Sequence, residues 1–254
     1  MMVSAAICPP APLLAQELTG LDPVIPELRQ ACAAAVARLI RAAPEVITVV
    51  GPWRRTAMWP GDGRIDLAAF APSLGLGDDK NDGPPLPFPL GLGVRLLDEA
   101  GYRGEWRLQS VGRDEPAAAC LRLGAGLSRP GDRGALLLMA DGSACRSPRA
   151  PGYLDPRAAG FDATLERAVR SGELGPLRDL DAGLARELLA TGRAGWQVLA
   201  GAMPGRAPAT EVLYTDAPFG VFYLAAWLSG AGLLRAVQDG VGQPAGRGAA
   251  VHLR

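Results

Sequence analysis

The chain has 254 residues, 48% of them hydrophobic and 20% charged, with 26 basic and 26 acidic side chains and a formal net charge of zero. That is enough length and apolar content for one large α/β domain or two small ones around a substantial core. The balanced charge argues against a nucleic-acid partner, which would need a basic excess.

Histidine is the usual general base near neutral pH and a leading transition-metal ligand. The sequence has one, His252, close to its end, where it reads as a solvated tail residue. Lys80 is the only lysine, so the abundance of arginine reads as compositional bias rather than as a sign of anion binding. Cys8, Cys32, Cys120 and Cys145 form no CxxC pair, the pattern of buried small hydrophobes in a reducing compartment. The opening MMVSAAICPP lacks the basic and long apolar regions of a signal peptide. No uncharged apolar run reaches the ~18 residues of a membrane span. These features predict a cytoplasmic protein with no membrane contact.

In chain order, Val3 to Cys8 is a first strand, stopped by Pro9-Pro10, and a loop from Ala11 to Gly20 follows. Glu27 to Ala43 carries Leu28, Cys32, Ala35, Val36, Leu39 and Ile40 at helical spacing, an amphipathic helix ended by Pro44. Glu45 to Gly51 is β-branched and nearly continuous, a central parallel strand, so these three elements make a βαβ unit. Residues 52–87 are rich in Gly, Pro and Asp, and 75–85 within them reads as mobile.

A helix over Leu90–Ala100 and a strand over Glu105–Val111 come next, then a helix to about Leu127 capped by Asp114. The greasy run Ala135–Ala140 is a buried strand that ends in Asp141-Gly142-Ser143. Helices follow around Phe161–Val169, after an Asp181 cap, and over Trp196–Met203. Glu211–Tyr214 and Gly220–Ala226 read as a pair of late strands, and residues 230–254 as a flexible tail. Strands alternating with helices predict a three-layer α/β/α sandwich on a mixed, mostly parallel sheet, spanning residues 1–229.

Ligands in such folds bind beyond the carboxyl ends of the strands. There Asp141 and Ser143 offer a carboxylate and a hydroxyl, although Asp-Gly-Ser also simply ends a strand, which is the preferred reading. Ser143 as a nucleophile lacks a histidine base. Cys145 is either a thiol activated by Arg146 and Arg149 or an ordinary loop cysteine, the second being preferred. Cys8 reads as a structural thiol. Trp53, Arg54, Arg55 and Trp59 either anchor the 52–87 loop or stack on a flat or anionic ligand. Tyr153, Asp155 and Arg157 either reach that cleft or hold the loop's shape.

Three stretches resemble the catalytic-subunit family of class III extradiol ring-cleavage dioxygenases, in an actinobacterial branch. They are ICPPAPLL at 7–14, DGSACRSPRAPGYLDPRAAGFD at 141–162, and GWQVLAGAM at 195–203 followed by EVLYTDAPFGVFYLAAW at 211–227. The resemblance implies an Fe(II) site of two His and one Glu, with a further His as acid/base. It places the first ligand at Pro10, the second within Gly51-Pro52-Trp53-Arg54, the Glu within Gly192-Arg193-Ala194-Gly195, and the acid/base near Cys145 or Arg146. No imidazole or carboxylate stands at any of them. Replacement ligands would have to come from Asp141, Asp62, Asp66, Cys8 and Cys145.

The expectation is a relative without the iron and with no metal residue. It would bind a small molecule or a protein partner in a remnant cleft built from Cys8, Pro10, Trp53, Arg54, Asp141, Ser143, Arg146 and Tyr153. The alternative is an active enzyme, using unusual metal ligands or a metal-free Asp141, Ser143 or Cys145. A homodimer or a partner subunit is expected as the assembly.

Overall fold

The structure, a computed structural model, describes residues 2–19, 24–67, 70, 84–127, 132–205, 207 and 209–230. The segment read as mobile at 75–85, save its last two residues, and the tail beyond Gly230 lie outside the described residues, as does His252.

A seven-stranded sheet forms the middle layer. Its strands are β1 (Met2–Cys8), β2 (Val46–Trp53), β3 (Ala57–Trp59), β6 (Glu105–Gly112), β7 (Gly134–Met139), β8 (Thr210–Asp216) and β9 (Tyr223–Ser229), in the order β3-β6-β2-β7-β1-β9-β8. The four central strands, β6, β2, β7 and β1, run parallel, and β3, β9 and β8 add antiparallel edges. The short pair β4 (Arg64–Ile65) and β5 (Pro85–Leu86) stands apart. β7 and the first seven residues of β2 are buried along their length, as strands covered on both faces must be.

Alternating side chains feed two cores. Ile47, Val49, Leu137 and Met139 pack with α2 (Pro26–Arg41) and α3 (Phe88–Glu99) on one face. Val50, Leu136, Leu138 and Leu224 pack on the other with residues of α5 (Arg157–Ser171), α6 (Ala182–Glu187) and α7 (Arg193–Ala202), beside α4 (Ala117–Gly126). This is the three-layer sandwich expected from the sequence. No described helix is long and apolar enough to cross a membrane.

Local details depart from the sequence reading. The 11–20 stretch holds a 3-10 turn, Pro12–Leu14, and the one-turn helix α1 (Gln16–Thr19) rather than a plain loop. Helix α4 starts behind Pro116 and not at an Asp114 cap, since proline's fixed φ sets up the first turn and Asp114 is drawn to Arg186, 2.8 Å away. The last strand begins at Tyr223 instead of Gly220, because Phe219 and Gly220 take left-handed φ values of 57° and 78° that break extended pairing. β1 and β2 are not neighbours, for β7 lies between them.

Candidate functional site

Beyond the carboxyl ends of the parallel strands the chain builds a small meeting point. Cys8 stands beside Met139 in register, and the ladder runs one residue further, Ala140 donating to the Cys8 carbonyl at 3.0 Å. On the other side Val50 pairs with Leu138, so Gly51 falls beside Met139. A Cβ placed on Gly51 would lie 3.5 Å from the Met139 Cβ and 2.7 Å from that of Pro89. From the helical layer Gly192, at the start of α7, packs on Asp141, where an added Cβ would stand 2.8 Å from the Asp141 nitrogen. Cys8 and Gly51 thus flank the end of β7 at Met139, and Gly192 packs on Asp141 two residues further on.

Asp141 is the ionisable group at that point. Its Oδ1 accepts from the Thr191 hydroxyl at 3.2 Å and the Gly192 N–H at 3.1 Å, and its carbonyl accepts from the Trp196 indole at 2.8 Å. Among the described residues no side chain donates to its Oδ2. Burial pushes its pKa up to about 6, opposed by the bonds from Thr191 and Gly192 and by the charge of Arg113. Close by, the phenol of Tyr223 on β9 is pushed up to about 12, first by burial and then by the charges of Asp141 and Tyr214.

The rest of the loop after β7 faces elsewhere. It is zipped to its neighbours on both sides: Ala144 donates to Leu188, Arg146 to Gly220, and Phe222 to Ser143, at 2.8–3.0 Å. Ser143 is fully buried, and its hydroxyl and N–H donate to Asp162 of α5 at 2.6 and 2.8 Å. Arg146 completes the cluster, 3.0 Å from the same carboxylate. Cys145 is buried and donates to the Gly152 carbonyl at 3.5 Å. Burial, then Asp155 and Asp162, push its pKa up rather than down, the reverse of thiol activation. Tyr153 is 74% exposed on the rim with a φ of 60°. Asp155 receives Arg157, so both shape the loop's exit into α5.

The proposed cleft residues thus fall into three places. Cys8 and Asp141 stand at adjacent strand ends, with Pro10 two residues beyond Cys8. Ser143 and Arg146 join Asp162, while Tyr153 stands on the rim. Trp53 and Arg54 line a neighbouring cleft with Thr56 and Arg113. Arg54 and Arg55 lie over the indoles of Trp53 and Trp59, 5.7 and 5.9 Å from the ring centres, so each tryptophan carries one of the chain's own guanidiniums.

Sequence reasoning missed Thr191, Tyr223, Asp162 and Arg113 as neighbours of the site. Arg113 had a signal, since it directly follows a strand's carboxyl end. The others lie far along the chain from the groups they meet, Thr191 being 50 residues from Asp141.

The residues at the meeting point do not suit Fe(II). Proline and glycine side chains bring no donor atom, and one oxygen of the single carboxylate is committed to Thr191 and Gly192. The hydrogen bond with Cys32 and then burial push the Cys8 thiol up and away from the thiolate a metal needs. Asp62 lines a different cleft, with Arg95, Tyr102 and Trp106. Among the described residues no group of three or more His, Cys, Asp or Glu is placed to hold a metal ion.

No family model and no curated protein matches the chain. Solved structures do. One is the crystal structure of "uncharacterized protein JW3007" from Escherichia coli K12. It superposes with a TM-score of 0.54 at 16% identity, covering 90% of this chain and 100% of that one. The likeness is one of fold alone.

Proposed function

We propose that this chain is a relative of the class III extradiol ring-cleavage dioxygenases that binds a small molecule at the carboxyl end of its sheet, without the iron of the ring-cleaving members. One observation carries the reading. Of the stretches that the resemblance equates with the metal ligands, Gly51 lies beside the end of β7 and Gly192 packs on Asp141 just beyond it, and neither glycine offers a donor atom. Asp141, with its Oδ1 tied down, is then the group that orients a ligand through a hydrogen bond at Oδ2.

The test supplies Fe(II) anaerobically to the purified protein, counts bound metal, and follows oxygen uptake with catechol. The reading expects iron well below one per chain, no catechol-dependent uptake, and catechol binding that weakens in Asp141→Asn. Stoichiometric tight iron with oxygen consumption overturns it.

Two further readings each have an observation in their favour. The Oδ2 of Asp141, on a carboxyl that titrates near 6, suits metal-free acid/base catalysis. The exposed side chains of Tyr153, Leu154, Leu189 and Phe219 suit a protein partner.

A further inference from the structure

The cleft beside the meeting point differs from it in chemistry. Its walls are the carboxyl ends of β2 and β6, which leave the sheet side by side: Trp53 is in register with Gly112, and Arg113 donates to the Trp53 carbonyl at 3.2 Å. The same register sets Arg54 beside Arg113, and the chain then turns back through Arg55 so that Ala57 pairs with Ser110. Thr56 closes the gap, its hydroxyl accepting from the Gly112 N–H at 3.0 Å. Trp53, Arg54, Arg55, Thr56 and the 112–116 turn line an open surface cleft of about 570 Å³.

Its charges are unbalanced. Among the described residues no carboxylate pairs with Arg54, Arg55 or Arg113. Of the two acids on the cleft wall, Asp114 pairs with Arg186 at 2.8 Å, while Glu115 accepts from the Thr56 hydroxyl and keeps its charge, so three guanidiniums face one uncompensated carboxylate. The Arg54 and Arg55 guanidiniums lie over the indoles of Trp53 and Trp59, and a guanidinium so placed can still donate through its N–H groups.

Behind the wall lies a fourth guanidinium, that of Arg193, which is 2% exposed. It donates to the carbonyls of Arg113 and Glu115 and to Gln197, and among the described residues no carboxylate stands within ion-pair distance. A buried cation satisfied only by neutral oxygens keeps its full charge in a poorly screened place. It fixes the backbone of the 113–115 turn and adds its field to the cleft. The start of α4 at Pro116, with no side-chain cap, adds N–H groups of the same polarity.

We infer that this cleft, between the ends of β2 and β6, is a binding site for a small anion carrying two or more negative charges, held by Arg54, Arg55 and Arg113 against the buried Arg193. The site is distinct from the meeting point at Asp141 and goes beyond the reading given above. Carboxylates and phosphoryl groups present the same charge-assisted acceptors to a guanidinium fork.

Calorimetric titration of the full chain at low ionic strength with citrate and, separately, inorganic pyrophosphate tests it. Binding of either supports the site, and the tighter of the two identifies a carboxylate or a phosphoryl ligand. Arg113→Gln, and Arg54→Gln with Arg55→Gln, each weaken the bound anion about tenfold or more. All three side chains are exposed, so these variants keep the fold, which their melting curves check. Arg170→Gln, on α5 and paired with Glu166, leaves binding unchanged. The inference is overturned if neither anion binds at millimolar concentration, or if the arginine variants bind as the unaltered chain does. Iron binding would sink the metal-free reading and leave this site standing, whereas failed anion titrations would do the reverse.

Discussion

Asp141 is held in a state that costs stability when it is charged. A carboxyl whose folded pKa is raised to about 6 keeps its proton in the fold after the unfolded chain, near 3.8, has released its own. The penalty therefore sets in above about pH 4 and is complete above about pH 6, where it amounts to roughly 3 kcal/mol. Asp141→Asn keeps an oxygen for Thr191 and Gly192 and removes the charge. It is expected to raise the midpoint of urea unfolding at pH 7 by an amount that vanishes at pH 4. A midpoint gain that is the same at both pH values would show that the carboxyl ionises freely. Asp162 behaves differently. Burial raises its pKa too, but Ser143 and Arg146 bond it on both oxygens, so it organises the loop and offers nothing outward.

Among elements, the pairing of α4 with α7 is the closest. Gly124 and Gly201 face the partner's backbone: a Cβ on the first would strike the Val198 carbonyl, and one on the second the Leu121 carbonyl. Backbone cannot yield as a flexible side chain does. Gly124→Ala or Gly201→Ala should each cost about 3 kcal/mol in urea melts without a change in slope. The contact matters to the site because α7 carries Gly192 and Arg193 at its start, and a shifted α7 would move both.

At the same end, three non-glycine residues with left-handed backbones, Tyr153, Leu189 and Phe219, have φ values of 52–60° and exposed side chains. Strain of this kind persists only where the surroundings impose it. The bonds that zip the 143–152 loop to Leu188 and Gly220 are what impose it here.

The elements themselves were legible in the sequence. Buried parallel strands such as Ala135–Ala140 read as unbroken apolar runs, and α2 showed its stripe. The place of Asp141 followed from the strand end. What surrounds it did not, because Thr191, Gly192 and Tyr223 reach it only through tertiary packing. The capping role expected of Asp114 failed for a local reason, since Pro116 was available to start the helix. Ser143 pointed inward because Asp162, a turn into the next helix, supplied a buried acceptor.

For the molecule as a whole, the strand order fixes which parts depend on which. β7 sits between β1 and β2, so β1 finds its one parallel neighbour, and β2 one of its two, only in residues 134–139. A fragment ended at Leu127 should show no cooperative thermal transition, and a sharp melt from that fragment would refute this. During synthesis the first half of the chain emerges with the flanks of an empty slot and nothing to fill it. Until the middle hydrophobic segment clears the ribosome, two bare strand edges wait in the open. The nascent protein is then at its greatest risk of pairing with a stranger, and it is there that a chaperone would be needed most.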